Sequence, residues 1–227
     1  MATRPYFIST NDNKFFKEET CEFEYFTGFA ISQKQKSITS LHGEILKKYP
    51  ASTILEVSRK SENNLGTQLS AFNLTLKSKK DNKRYPVENI FQSSKVFERG
   101  GPYKDLLYCS PIDAKRDERL KESGNLVSFS FEGRQWPLEP KTLFYDHIYI
   151  RALLENDNLI SQIIQYDTFT DIEFNPKKSF NCQARSVAIF VSLYKANLVK
   201  NYIDDMELFK TLYKREPLAV QKQLTLM

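Results

Sequence analysis

Residues 85–103 read YPVENIFQSSKVFERGGPY, which begins as a helix and ends in a stop signal. Pro86 lies in the first turn, where its fixed φ favours a helix start, and Gly100–Gly101 are typical of a helix end. At about 100° per residue, two neighbouring stripes follow from the spacing. The stripe predicted to pack on the core contains Val87, Ile90, Ser94 and Phe97. The stripe along its edge contains Glu88, Phe91, Gln92 and Lys95.

Glu88 and Lys95 are seven residues apart, whereas ion pairs that stabilise a helix are three or four apart. On a helix this separation is a rise of about 10 Å, so a ligand could lie between the two side chains. Solvated charges at a helix edge are the alternative interpretation. A carboxylate beside a ligand can act as general acid or base, and a lysine with a lowered pKa can attack a sugar carbon through a Schiff base. Both suit cleavage of a glycosidic bond, although most glycosidases use two carboxylates.

The whole chain has 227 residues, enough for one domain with a full core or for one domain with an extension. Its net charge of +5 weakly favours an anionic partner. The alternative interpretation is that the basic residues are ordinary solvent-exposed surface. The 17 Phe and 12 Tyr either fill a core or stack on nucleobases.

Motifs for metals, cofactors and membranes are absent from the sequence. The three cysteines have no CxxC spacing, both histidines are isolated, and no GxGxxG, P-loop, HExxH or GxSxG pattern occurs. We therefore predict no metal and no cofactor. Because no signal peptide and no long apolar run is recognisable, we expect a cytoplasmic protein that does not associate with membranes.

Hydrophobic periodicity predicts a helix-rich α+β fold in a single domain with a few short strands. The predicted strands are residues 21–32, 52–58, 69–78, 126–133 and 168–175, with a loop at 61–68. The predicted helices, besides the one above, are residues 37–49 with Ser37 as cap, 142–156, 158–166, 183–197 and 202–213. We expect an N-terminal extension over 1–50, a catalytic domain over 51–198, and a C-terminal helix and tail over 199–227.

Two stretches, PVENIFQSSKVF (86–97) and SPIDAKRDER (110–119), resemble the NADAR family, which has the YbiA-like fold. That family has an E-H-x-F-Q-x-x-K-F helix and a later S-P-x-x-A stretch, and Asn89 stands here where the histidine is usual. Shorter matches are LSAFNL (69–74), which resembles F-S-N-F, TDIEFN (170–175), which resembles N-D-x-Y-W-G, and ARSVAIFVSL (184–193), which resembles N-R-L-G-x-L-L-M.

The chain is most similar to the NADAR proteins encoded beside DarT toxins, on FQSSKVFERGGPYKDLL, WPLEPKTLFYDHIYIRALL and FNCQARS. The resemblance implies an antitoxin enzyme, an N-glycosidase that removes ADP-ribose from guanine bases in DNA. Its implied partners are ADP-ribosylated DNA, the product ADP-ribose, and a cognate DarT-type toxin. On charge alone, residues 77–84 are the candidate contact to the DNA backbone.

The resemblance also implies the site residues. The implied catalytic residues are Glu88, Lys95 and Asp171. The implied substrate-binding residues are Ser70, Phe72, Phe91, Gln92, Trp136, Phe174 and Arg185. Trp136 lies some five residues upstream of the family's tryptophan, and Tyr145 falls where the family has a lysine. Arg185 would bind the pyrophosphate or pair with Asp171.

In the implied reaction Glu88 protonates the departing guanine, and Glu88 or Asp171 activates water. Lys95 either forms a Schiff base with the sugar or only holds a phosphate or hydroxyl group. Two other functions remain open: a non-catalytic antitoxin that binds ADP-ribose or the toxin, and an N-glycosidase of riboflavin-pathway intermediates, which YbiA-like relatives suggest.

Overall fold

The computed structural model describes residues 1–12, 14–28, 30–177 and 179–213. The strands, in chain order, are β1 (Ala2–Ser9), β2 (Phe16–Phe23), β3 (Ile54–Glu56), β4 (Thr75–Lys77), β5 (Arg84–Pro86), β6 (Lys95–Phe97), β7 (Leu126–Phe131), β8 (Arg134–Trp136) and β9 (Thr168–Thr170). The helices are α1 (Ile31–Lys48), α2 (Asn64–Gln68), α3 (Val87–Ser93), α4 (Pro111–Arg116), α5 (Arg119–Glu122), α6 (Leu143–Leu154), α7 (Asp157–Ile163), α8 (Gln183–Lys195), α9 (Val199–Asp204) and α10 (Met206–Thr211), with a 3-10 helix at Lys104–Leu107. The predicted α+β class is confirmed. None of these helices is both long enough and apolar enough to cross a bilayer.

The four-stranded sheet has the order β2-β1-β9-β3. β1 is antiparallel to β2 and β9, whereas β3 and β9 run parallel. Successive residues of a strand point to opposite faces, and Tyr6 packs on one face with α1 while Phe7 joins the main core on the other. Residues of the predicted extension 1–50 therefore supply an interior strand of a sheet that later residues complete.

Helices α6 and α8 form the main core under this sheet, and most of their residues are buried. The sequence of such a helix is apolar on all sides, and this pattern predicts that the helix is buried. The predicted helix 202–213 is instead two helices, because Asp205 leaves the helical conformation and accepts hydrogen bonds from the N–H groups of Glu207 and Leu208 as the cap of α10.

Several predicted boundaries are wrong at the N-terminal side. Helix α1 begins at Ile31, and Ser37 lies inside it, where its buried hydroxyl accepts from the Phe26 N–H and donates to the Gln33 carbonyl instead of capping the helix. The predicted loop 61–68 contains α2, capped by the Asn63 side chain. The predicted strands 69–78 and 168–175 shorten to β4 and β9.

The helix of the opening stretch is also shorter than predicted. Helix α3 ends at Ser93, and all seven of its residues are buried. Lys95 is the first residue of β6, and its backbone pairs with Phe129 of β7. Glu88 and Lys95 therefore do not lie on one helix, and the predicted helical rise of about 10 Å between them is wrong. Gly100 and Gly101 lie in the turn after β6, where the Phe97 N–H bonds to the Gly100 carbonyl, and do not stop a helix.

Candidate active site

A cleft of about 950 Å³ lies between α3, α4, the start of α6 and the segment after β9. It collects most of the site residues that the sequence predicts, namely Ser70, Phe72, Glu88, Phe91, Gln92, Lys95, Asp171 and Phe174. Residues distant in sequence thus line one cavity of the size that small-molecule sites have.

Glu88 is the second residue of α3 and is buried. Its Oε1 accepts a hydrogen bond of 2.7 Å from Gln92 Nε2, one turn further along the helix. The same oxygen lies 3.7 Å from Lys115 Nζ of α4. The Glu88 backbone N–H donates to the Ala71 carbonyl, which fixes the helix start against the segment that contains Ser70 and Phe72. The carboxyl group is therefore held from two sides.

The Lys95 side chain enters the cleft from β6, and its Nζ lies 4.9 Å from the centre of the Phe91 ring. Burial lowers the pKa of Lys95 to about 8; the charge of Glu88 opposes this shift and that of Lys115 adds to it. A free lysine has a pKa near 10.4. At pH 7 roughly one Lys95 amine in ten is therefore neutral, which is the form that can act as a nucleophile.

Asp171 follows β9 and accepts hydrogen bonds from the N–H groups of Glu173 (3.0 Å) and Phe174 (3.1 Å). Burial raises the pKa of Asp171 well above its ordinary value, and the charges of Glu56 and Glu173 add to the effect. A raised pKa favours the protonated form of a carboxyl group, and that form cannot take a proton from water. Asp171 is thus better suited to donate a hydrogen bond than to activate water.

Behind Asp171 lies a buried polar network around Glu56. The Glu56 carboxyl group accepts from the Ser58 hydroxyl (2.6 Å), the Thr170 hydroxyl (2.6 Å) and the Ile172 N–H (2.8 Å). His42 of α1 is half-buried, and its Nε2 lies 2.8 Å from Thr170 Oγ1. Burial lowers the pKa of His42 to about 4. This network fixes both neighbours of Asp171 in the chain.

In the cleft the Phe72 ring lies beside two cations, and the Gln92 amide is only partly paired. The Phe72 ring has the Arg59 guanidinium carbon 4.2 Å and Lys115 Nζ 5.0 Å from its centre. The Gln92 Oε1 is buried and has no hydrogen-bond partner among the residues described. Such groups suit a ligand with anionic and planar parts.

Trp136 and Arg185 do not line the cleft, and their positions do not support the predicted binding roles. Trp136 packs against Phe144 and His147 beside a separate pocket of about 290 Å³. Arg185 Nη1 forms a 2.9 Å ion pair with Asp146, whose carboxylate is fully buried. A buried carboxylate needs a cation. Arg185 is therefore paired with Asp146 of α6, and not with Asp171 or a ligand.

Residues 77–84 also lie away from the cleft. Lys79 pairs with Glu132 and Arg84 with Glu155, and no member of this basic segment is among the described residues that line the cavity. A DNA contact by this segment stays a prediction.

The cleft wall also contains residues that the sequence did not predict as part of the site, among them Arg59, Lys115, Tyr145 and Gln183. Lys115 follows the matched Ala114 in SPIDAKRDER, so the motif contained a signal for it. Gln183 Oε1 accepts from the Ala71 N–H, a contact between distant segments that no local pattern shows. Across the described ranges, no group of His, Cys, Asp and Glu side chains is arranged to hold a metal ion.

A family model, the DarT1-associated NADAR antitoxin, matches residues 2–223 of the chain. No curated protein matches the sequence. The match spans nearly the whole chain, including the strands and the helix of the predicted N-terminal extension.

Proposed function

The chain belongs to the family of DarT1-associated NADAR antitoxins, and we propose that it acts as an N-glycosidase that removes ADP-ribose from guanine bases in DNA. The antitoxin role follows from the family, and the chemistry is the proposal. The observation on which it depends most is the Lys95 amine, buried with a pKa near 8 in the same cleft as Glu88.

The cleft has the size and the polarity for this substrate. About 950 Å³ is near the upper end of small-molecule sites, as a ligand with two bases, two sugars and a diphosphate requires. The aromatic rings of Phe72 and Phe174 are available for the bases, and Arg59 and Lys115 beside Phe72 for the diphosphate.

The proposed reaction divides the work between Glu88 and Lys95. The neutral Lys95 amine attacks the anomeric carbon, the bond to the guanine nitrogen breaks, and its electron pair passes to guanine, which takes a proton from Glu88. The bond between the anomeric carbon and the ring oxygen then breaks, its electron pair passes to the oxygen, which takes up the proton that the Lys95 nitrogen releases, and the open-chain sugar is held as a Schiff base. Glu88, now a carboxylate, activates the water that releases ADP-ribose and restores the amine. Asp171, with its raised pKa, fits this base role less well.

An oligonucleotide with ADP-ribosylated guanine tests the proposal. We expect wild type to release free ADP-ribose, and Glu88→Gln and Lys95→Ala each to lower kcat by about two orders of magnitude or more. Chromatography of the released ADP-ribose measures this. Glu44→Gln and Lys47→Ala are matched controls, because that exposed pair on α1 does not line the cleft.

Turnover by Glu88→Gln and Lys95→Ala at the wild-type rate would contradict the proposal. Binding of the modified oligonucleotide without any release, by wild type as well as by the variants, would instead support the non-catalytic binding function.

Borohydride trapping separates the two roles of Lys95. If Lys95 forms a Schiff base, reduction during turnover fixes one ADP-ribose on the peptide that contains Lys95, and mass spectrometry locates it there. If Lys95 only holds the substrate, Glu88 activates water directly and no adduct forms, although Lys95→Ala still weakens activity.

A further inference from the structure

Tyr145 lies in the wall of the cleft, in the first turn of α6, and has no part in the reaction as described so far. Its ring meets the Phe91 ring edge to face, with the centroids 5.3 Å apart and the planes at 89°. The Lys95 Nζ lies over the same Phe91 ring. Phe91 therefore brings the amine and Tyr145 to one region of the cleft.

The Tyr145 hydroxyl has no hydrogen-bond partner in the part of the chain that the structure describes, although only 6% of the residue is exposed. Tyr145 is one of the residues that line the cleft. Buried hydroxyl groups are normally paired, because an unpaired one costs free energy. The missing partner is thus expected from the ligand.

Tyr149, one turn further along α6, shows the contrast. Its ring lies 6.0 Å from that of Tyr145, but its hydroxyl donates to the Leu69 carbonyl and is fully buried. The Tyr149 hydroxyl is thus used by a backbone hydrogen bond, whereas the Tyr145 hydroxyl can donate a hydrogen bond into the cavity.

Electrostatics keeps the proton on Tyr145. Burial raises the pKa of its hydroxyl well above the ordinary value, and Tyr149, Glu88 and Asp171 add to the shift in that order. The group is therefore a neutral donor at every physiological pH.

We propose that Tyr145 is a further catalytic residue, whose hydroxyl donates a hydrogen bond to the guanine as it departs. This inference rests on the proposed function. When the bond to the anomeric carbon breaks, its electron pair passes to guanine, and a fixed donor stabilises the negative charge that develops there. Tyr145 keeps its proton, and the proton that neutralises guanine comes from Glu88.

The guanine, and not the ribose, is the group that this donor assists. The anomeric carbon and the ring oxygen become positively charged in the transition state of glycosidic cleavage. A hydrogen-bond donor directed at them would oppose the reaction, whereas a donor to the departing base favours it. Lys95 acts on the sugar in this step, and Glu88 acts there only after it has given its proton to guanine.

Tyr145→Phe removes only the oxygen and tests this role. On ADP-ribosylated guanine in an oligonucleotide we expect kcat to fall by about two orders of magnitude, with KM nearly unchanged because the hydrogen bond strengthens as the base departs. The melting temperature should not fall, since the hydroxyl has no partner in the described fold. Tyr149→Phe is the matched control: it should lower the melting temperature and leave kcat of the folded enzyme unchanged.

A second substrate, ADP-ribose linked to 4-nitrophenol, distinguishes stabilisation of the departing group from a general defect. Nitrophenolate departs without help from a donor, so the loss of kcat in Tyr145→Phe should shrink to a few-fold on this substrate. Equal losses on both substrates, or wild-type kcat on the guanine substrate, would overturn the role of Tyr145 alone. Failure of wild type to release ADP-ribose from guanine would overturn the proposed function and this role together.

Discussion

Lys95 illustrates how single residues set the chemistry of the cleft. Its amine is buried against the Phe91 ring, and two charged neighbours act on it in opposite directions. Glu88 favours the charged amine and Lys115 disfavours it, while burial, the largest influence, removes the water that would stabilise the charge. The result is an amine with a pKa near 8, which titrates close to physiological pH.

This pKa predicts the pH dependence of the proposed covalent step. The amine reacts only when neutral, so the rate of borohydride-trapped adduct should rise with pH and level off above about 8. Lys115→Met should move the midpoint to higher pH, because it removes a charge that lowers the pKa of Lys95. Lys115→Arg keeps that charge and should leave the midpoint in place. Single-turnover trapping at a series of pH values measures this, and a midpoint near 10 in wild type would refute it.

At the scale of elements, the junction of α3 and β6 positions Lys95. Helical spacing predicts α3 correctly as far as Ser93, but Phe97 continues the same apolar spacing, so the local pattern cannot show where the helix ends. The end is set by pairing of β6 with β7, more than thirty residues later in the chain. Long-range pairing of this kind leaves no signature in the local periodicity.

The same limit explains which of the predicted site residues lie in the cleft. Motif positions in contiguous stretches, such as Glu88 with Gln92, are found in the cleft. Arg185 is not, because its partner Asp146 belongs to another helix. Tyr145 was missed because a helix that is apolar on all sides indicates burial, and only the tertiary structure shows that one hydroxyl reaches the cavity.

The turn after β6 gives a test of this junction. Gly101 has φ +81°, and a Cβ there would collide with the Lys95 carbonyl oxygen. Gly133 has a similar φ of +77° but open space around it. Gly133→Ala should therefore cost only the backbone strain, about 1 kcal/mol, whereas Gly101→Ala should cost roughly 2 kcal/mol more and displace Lys95.

Urea unfolding and the trapping rate measure the two effects of Gly101→Ala. We expect lower stability than in Gly133→Ala and a slower covalent step, because the amine moves with its strand. Equal stabilities of the two variants, with equal trapping rates, would show that the turn does not position Lys95.

At the scale of the whole molecule, the four-stranded sheet joins two hydrophobic clusters. The smaller cluster includes Leu41 and Ile45 of α1, together with Tyr6 and Ile172. The larger one includes Phe7 of β1, the core of α6 and α8, and Trp136. Because adjacent residues of β1 belong to different clusters, and Ile172 is two residues after β9, the N-terminal segment and the cleft share one scaffold.

This arrangement predicts that the protein unfolds as one unit. Leu41 is fully buried, so Leu41→Ala should lower the free energy of unfolding by about 2–5 kcal/mol. Trp136, the single tryptophan, lies in the other cluster, and its fluorescence should shift to the same new midpoint as far-UV circular dichroism. Leu46→Ala on the same helix is the control, since Leu46 is 40% exposed and its loss should change stability by less than about 0.5 kcal/mol. An unchanged midpoint of Trp136 fluorescence in Leu41→Ala, beside a shifted circular dichroism signal, would mean that the N-terminal segment unfolds independently of the cleft.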